Sequence, residues 1–148
     1  MTSDQNWELK SKIYLVEDNP VDIDLTQRAF KKQMLHCTVD ISRDGEEANQ
    51  AIQRWEAGLE IPPDLILMDL KMPRMDGFDV LRILRQSPKS CSIPVVILTS
   101  SNEETDIITA YQLGANSYLL KPIDYSKFVT LIQMIIQYWL ELNCKVKY

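Results

Sequence analysis

The sequence predicts an α/β fold, a doubly wound five-stranded parallel sheet with helices on both faces. Three observations lead there. Five short apolar runs, at 12–16, 38–42, 65–69, 95–98 and 117–120, alternate with longer segments that open on helix-start signals. Two of those runs, 65–68 and 95–98, are apolar throughout rather than alternating, as strands covered on both faces must be. The 148 residues suit one domain with a core large enough to need no metal or disulfide staple.

Each element has a local reason. Residues 1–11 are polar and read as a flexible tail, so the domain is expected to span 12–148, with no output domain after it. Asn19-Pro20 places a capping side chain before a proline, and Val21, Leu25 and Ala29 follow at helical spacing. Asp44-Gly45-Glu46-Glu47 and Ser101-Asn102-Glu103-Glu104 both read as capping boxes. Asp76-Gly77-Phe78 opens a helix carrying Val80, Leu81, Ile83 and Leu84, and Gly114 stands where a helix C-cap belongs. Residues 58–63 form the one long loop. Asp124 starts a last helix expected to reach Asn143. On it Phe128, Leu131, Ile132, Ile135, Trp139 and Leu142 form the core stripe, leaving Val129, Met134, Ile136, Tyr138 and Leu140 on other faces.

Composition excludes several functions. The chain has 16 Lys+Arg against 21 Asp+Glu, a net charge of −5, which disfavours nucleic-acid and anionic-membrane partners. No apolar run approaches the ~18 residues of a membrane span. The N-terminus has no secretory signal pattern. Cys37, Cys91 and Cys144 are odd in number and widely spaced, which suits reduced thiols in the cytoplasm. His36 reads as a surface residue, and Trp7 and Trp55 as packing residues.

Ligands of doubly wound sheets sit beyond the carboxyl ends of the strands. Glu17 and Asp18 follow the first strand, Asp69 ends the third, Thr99 follows the fourth and Lys121 the fifth. Three ionised carboxylates on one rim repel by roughly 4 kcal/mol per pair at ~4 Å. A hard divalent cation such as Mg²⁺, with help from Lys121, offsets that and prepares the rim for a phosphoryl group. Asp69 is the candidate nucleophile. Asp22 and Asp24 read as first-turn residues favoured by the helix dipole.

These motifs resemble the receiver domain of bacterial two-component response regulators, CheY-like in fold. They are Val16-Glu17-Asp18-Asn19, the run from Asp64 through Asp69-Leu70-Lys71-Met72-Pro73 to Gly77, the run from Pro94 to Thr99-Ser100, Gly114-Ala115, and Lys121-Pro122. The resemblance implies the flavodoxin-like strand order 2-1-3-4-5. It implies that Asp69 accepts a phosphoryl group from a sensor histidine kinase. Asp18, Asp69 and the backbone carbonyl of Lys71 would bind Mg²⁺, Glu17 would act through a metal-bound water, and Thr99 and Lys121 would hold the phosphoryl oxygens. It also implies a cis Lys121–Pro122 bond, and a switch in which Thr99 moves toward the phosphoryl group and Tyr118 rotates inward. The long last helix with Tyr138-Trp139 further resembles stand-alone regulators that partner bacterial phytochrome kinases. Its surplus apolar face, with Ile107, Ile108 and Tyr111 on the helix before, points to a homodimer through the last two helices and the fifth strand.

Rival functions fit less well. A haloacid-dehalogenase-type phosphohydrolase needs a second Asp two residues after its nucleophile, where this chain has Lys71. A flavin or nucleotide carrier needs a first loop that welcomes phosphate, which Glu17-Asp18 repels without a metal. A pure interaction module would not keep Glu17, Asp18, Asp69, Thr99 and Lys121 together.

Overall fold

The computed structural model describes residues 11–33 and 37–145. Five strands, β1 (Ser11–Val16), β2 (Cys37–Ser42), β3 (Leu65–Met68), β4 (Val95–Thr99) and β5 (Ser117–Leu120), alternate with five helices. The helices are α1 (Pro20–Gln33), α2 (Gly45–Glu56), α3 (Gly77–Gln86), α4 (Glu104–Gln112) and α5 (Tyr125–Ile136). All strand pairs are parallel, in the order β2-β1-β3-β4-β5. The expected fold is the observed one. Ser11, assigned to the tail from sequence, opens β1; Trp7 and His36 lie outside the described residues.

The two-residue period of a strand explains the double layer. Tyr14, Val16, Ile66, Met68, Val95 and Ile97 face one way and pack with Ala48, Ile52 and Trp55 of α2, Val80, Leu81 and Leu84 of α3, and Ala110 of α4. Ile13, Leu15, Leu65, Leu67, Val96 and Leu98 face the other way, against Ile23, Ala29 and Phe30 of α1 and the buried side of α5. Trp55 is a packing residue as expected, edge-on to the Tyr14 ring at 5.1 Å.

Caps set most helix starts. Asn19 Oδ1 accepts from the backbone N–H groups of Val21 and Asp22. Asp44 accepts from Glu47, whose carboxylate reaches back to the Arg43 N–H. Asp76 accepts from the Asp79 N–H. The second expected capping box does not form. The Ser101 hydroxyl donates instead to Asp106 Oδ2 at 2.6 Å, and α4 begins at Glu104 without a side-chain cap. Val21, read as part of the α1 stripe, is exposed; Ile23, Ala29 and Phe30 carry that face.

The last helix corrects the expected stripe. Val129, Ile136 and Leu140 are buried, while Leu142 is exposed. After Ile136 the chain continues as a π-helical segment, Gln137–Leu142. Its longer hydrogen-bond step, with the Asn143 N–H reaching the Tyr138 carbonyl, shifts the phase of the face and moves Leu142 outward. Met134 and Tyr138 are exposed as expected.

At the end of the sheet away from the strand carboxyl ends, Arg85 of α3 ties several loops together. Its guanidinium donates to the carbonyls of Gly114 (2.9 Å), Cys91 (3.1 Å) and Ile93 (2.8 Å), and to Asn116 Oδ1 (2.8 Å). Gly114 has φ 104°, a left-handed conformation that lets α4 end there.

Candidate functional site

Parallel register brings the candidate residues to one edge. Val16 pairs with both Ser42 and Met68, so β1, β2 and β3 end level with one another. The Glu17 N–H donates to the Ser42 carbonyl (3.0 Å) and the Asp69 N–H to the Val16 carbonyl (3.0 Å), which extends the ladder into the loops. Thr99 pairs with Leu120, and the Lys121 N–H donates to the Thr99 carbonyl at 2.8 Å. Four strand ends, those of β1, β3, β4 and β5, therefore deliver polar side chains from otherwise apolar strands.

The carboxylates converge as the sequence predicts. One oxygen from each of Glu17, Asp18 and Asp69 lies within 4.8 Å of the others. Glu17 and Asp69 are buried, and Asp18 is exposed. Asp69 Oδ1 accepts from the Leu70 N–H at 2.7 Å and the Lys71 N–H at 3.4 Å. Glu17 Oε1 accepts from the Asn19 N–H at 3.1 Å. Three hard oxygen donors at this spacing, open to solvent through Asp18, fit a hydrated divalent cation. Beside them lies an open groove of about 480 Å³ lined by Asp18, Leu70, Lys71, Met72, Asp76, Phe78 and Asp106.

Lys121 supplies the cation present in the chain itself. Its Nζ donates to Glu17 Oε2 at 2.7 Å, Asp69 Oδ2 at 2.7 Å and Asp22 Oδ2 at 2.8 Å. Burial by itself would push the Lys121 ammonium down, but its hydrogen bonds to Asp22, Asp69 and Glu17 outweigh that and raise its pKa. Burial pushes Glu17 up to about 7, against the pull of Lys121 and with the repulsion of Asp69 added. The Lys121–Pro122 bond is trans, since the described residues contain no cis peptide. A cis bond is not needed to aim the amine, because the Lys121 N–H bond to Thr99 already places its Cα at the rim.

Asp22 is the residue sequence reasoning misplaced. A first-turn acid is so common at helix starts that it gave no distinct signal, yet its carboxylate belongs to the Lys121 cluster. Asp24, by contrast, pairs along its helix with Arg28 at 3.0 Å.

Thr99 and Tyr118 lie on one connected path. Thr99 is fully buried, and its Oγ1 accepts from the Ser101 N–H at 3.4 Å. The Tyr118 hydroxyl donates to the Ser101 carbonyl at 2.8 Å. The Tyr118 pKa is raised, chiefly by burial.

Gly77 makes the Asp69 loop fit. A Cβ there would lie 2.6 Å from the Asp69 carbonyl oxygen and 2.8 Å from Leu70 Cα. The Gly77 N–H donates to the Leu70 carbonyl at 2.9 Å, so the start of α3 packs directly on the backbone next to Asp69.

Comparison with known proteins decides the family: the model for the response regulator receiver domain matches residues 13–133. The chain belongs to that family. The receiver is 38% identical over 130 residues to response regulator Rcp1 of Synechocystis sp., covering 87% of this chain and 88% of Rcp1. Among solved structures it is similar to the phosphorylated cyanobacterial phytochrome response regulator RcpA, with a TM-score of 0.87 and 36% identity. That match covers 93% of this receiver and 99% of RcpA. The Mn²⁺-bound form of Rcp1 superposes with a TM-score of 0.84 at 36% identity, over 93% of this chain and 99% of that one. The receiver is thus a signalling protein rather than a metabolic enzyme.

Proposed function

We propose that this chain is a response regulator receiver whose Asp69 accepts a phosphoryl group from a phosphohistidine on a sensor histidine kinase. The observation that carries the reading is the meeting of Glu17, Asp18 and Asp69 within 4.8 Å, with the Lys121 ammonium bonded to two of them. Asp69 is the nucleophile: a carboxylate oxygen attacks phosphorus, the P–N bond breaks, and its electron pair returns to the imidazole. An acyl phosphate results. Asp18, Asp69 and the Lys71 carbonyl would hold Mg²⁺ directly, with Glu17 acting through a water. Such a cation would supply neutralisation of charge on the transferring group. Thr99 and Lys121 receive the phosphoryl oxygens, and the same groups catalyse later hydrolysis. The signal passes by a population shift along Thr99, Ser101 and Tyr118.

RcpA is described as a phytochrome response regulator, and the similarity supports a phytochrome-type histidine kinase as the partner. The free thiols of Cys37, Cys91 and Cys144 support a reducing, cytoplasmic setting, and no described helix is long and apolar enough to cross a membrane. Exposed Ile108 and Tyr111 on α4, Leu120 on β5, Met134 on α5 and Tyr138 on the π-helical segment after it support a homodimer through that face.

Intact-mass measurement after incubation with acetyl phosphate and Mg²⁺ tests the acceptor. Wild type should gain one phosphate and Asp69→Asn none; a gain that persists in Asp69→Asn refutes the assignment. Sedimentation over a concentration series tests the dimer: Tyr138→Glu should shift the chain to monomer, and a wild type that is monomeric throughout refutes it. Ile136, a natural first choice from sequence, is unsuitable because it is buried.

A further inference from the structure

A lysine ammonium has three N–H donors. All three of Lys121's are taken, by Glu17, Asp22 and Asp69 at 2.7, 2.8 and 2.7 Å. An arriving phosphoryl oxygen meets a fully engaged amine, so one carboxylate must release it. Asp69 gives up its free carboxylate when it becomes an acyl phosphate, and Glu17 is one of the three acids grouped for a cation. Asp22 stands outside that group. It comes from the first turn of α1, where Asn19 Oδ1 holds its N–H and its carbonyl accepts the Thr26 hydroxyl at 2.6 Å. The helix therefore fixes it in place, and its side chain is only 24% exposed. Its carboxylate faces Lys121 from an element separate from the strand end that bears Asp69.

We propose that Asp22 is a positioning residue that holds Lys121 in the unphosphorylated state and competes with the phosphoryl group for its amine. The inference rests on Asp69 being the phosphoacceptor. An anion fixed on α1 and an anion borne on Asp69 contend for the same N–H, so Asp22 biases the two-state balance toward the resting form. Neutralising it frees one donor and favours the phosphorylated form.

Two measurements on the full chain test this. Beryllofluoride, a phosphoryl-shaped anion, is titrated calorimetrically with Mg²⁺ into wild type and Asp22→Asn. The variant, which keeps the size of Asp22 and loses its charge, should bind on the order of tenfold more tightly. In the resting protein with EDTA, acetylation by a soluble anhydride is followed residue by residue by mass spectrometry. Lys121 should react severalfold faster in Asp22→Asn, while exposed Lys127 keeps its rate. Equal or weaker beryllofluoride binding by the variant, or an unchanged Lys121 rate, overturns the inference while the phosphoacceptor reading survives. Failure of wild type to bind beryllofluoride overturns that reading, and this inference with it.

Discussion

Glu17→Gln probes the charge balance of the site without disturbing its packing. In the cation-free protein, burial raises Glu17 from 4.5 to about 7. A group raised on folding contributes stability in full below its unfolded pKa, and that contribution is lost as pH climbs through the folded value. The window is thus pH 4.5 to 7. At about 1.4 kcal/mol per pKa unit, the loss in this window is on the order of 3 kcal/mol. Gln cannot ionise, and its amide oxygen still offers Lys121 an acceptor. In EDTA, urea midpoints of wild type should fall relative to Glu17→Gln between pH 4.5 and 7, with the variant the more stable, by roughly 1–3 kcal/mol, at pH 8. Saturating Mg²⁺ should close that gap, because a cation that binds only the folded carboxylate form stabilises wild type by mass action. The reasoning fails if the two midpoints run parallel across the window, or if Mg²⁺ stabilises both proteins equally.

Other perturbations follow from the same geometry. Lys121→Met leaves buried Glu17 and Asp69 without their cation, and urea unfolding in EDTA at pH 8 should show a loss of about 3–5 kcal/mol that shrinks at pH 5.5. Gly77→Ala forces a Cβ onto the Asp69 carbonyl, so stability should drop by about 1–3 kcal/mol and labelling by acetyl phosphate should slow, as intact mass against time would record. Ile136→Glu puts a charge into the α1–α5 core and should cost more than about 3 kcal/mol, whereas Tyr138→Glu on the exposed face should stay within about 0.5 kcal/mol at a concentration where the chain is monomeric. Thermal midpoints of the pair check this.

The strands were legible because parallel strands are buried twice over. Leu65, Ile66, Leu67 and Met68 have no solvent face to leave polar, so an unbroken apolar run with an Asp at its end stands out. The rim was legible for the same reason: Glu17, Asp69 and Thr99 are polar residues directly after or at the end of apolar strands. What escaped was set by contacts with no local signature. Asp22 looks like any helix-start acid until Lys121, distant in sequence, reaches it. Ser101 looks like a cap until Asp106, one turn on, takes its hydroxyl. The face of the last helix follows the ordinary period only as far as Ile136, beyond which the wider π-helical turn exposes Leu142 and buries Leu140. A cis Lys121–Pro122 bond came with the family resemblance and not from any feature of these residues.

The Arg85 cluster bears on how motion spreads. It clamps Gly114, the residue just past α4, to α3, while at the opposite end of α4 the Ser101 hydroxyl of the β4 loop donates to Asp106 and accepts from the Glu103 N–H. A helix gripped at its tail and tethered lightly at its head is a lever with its fulcrum at the tail. Its 9 residues give an arm of roughly 13 Å, so a tilt of about 10° sweeps the head through about 2 Å. A rearrangement around Thr99 that tilted the helix would displace Asp106, which borders the groove, more than the Gly114 end.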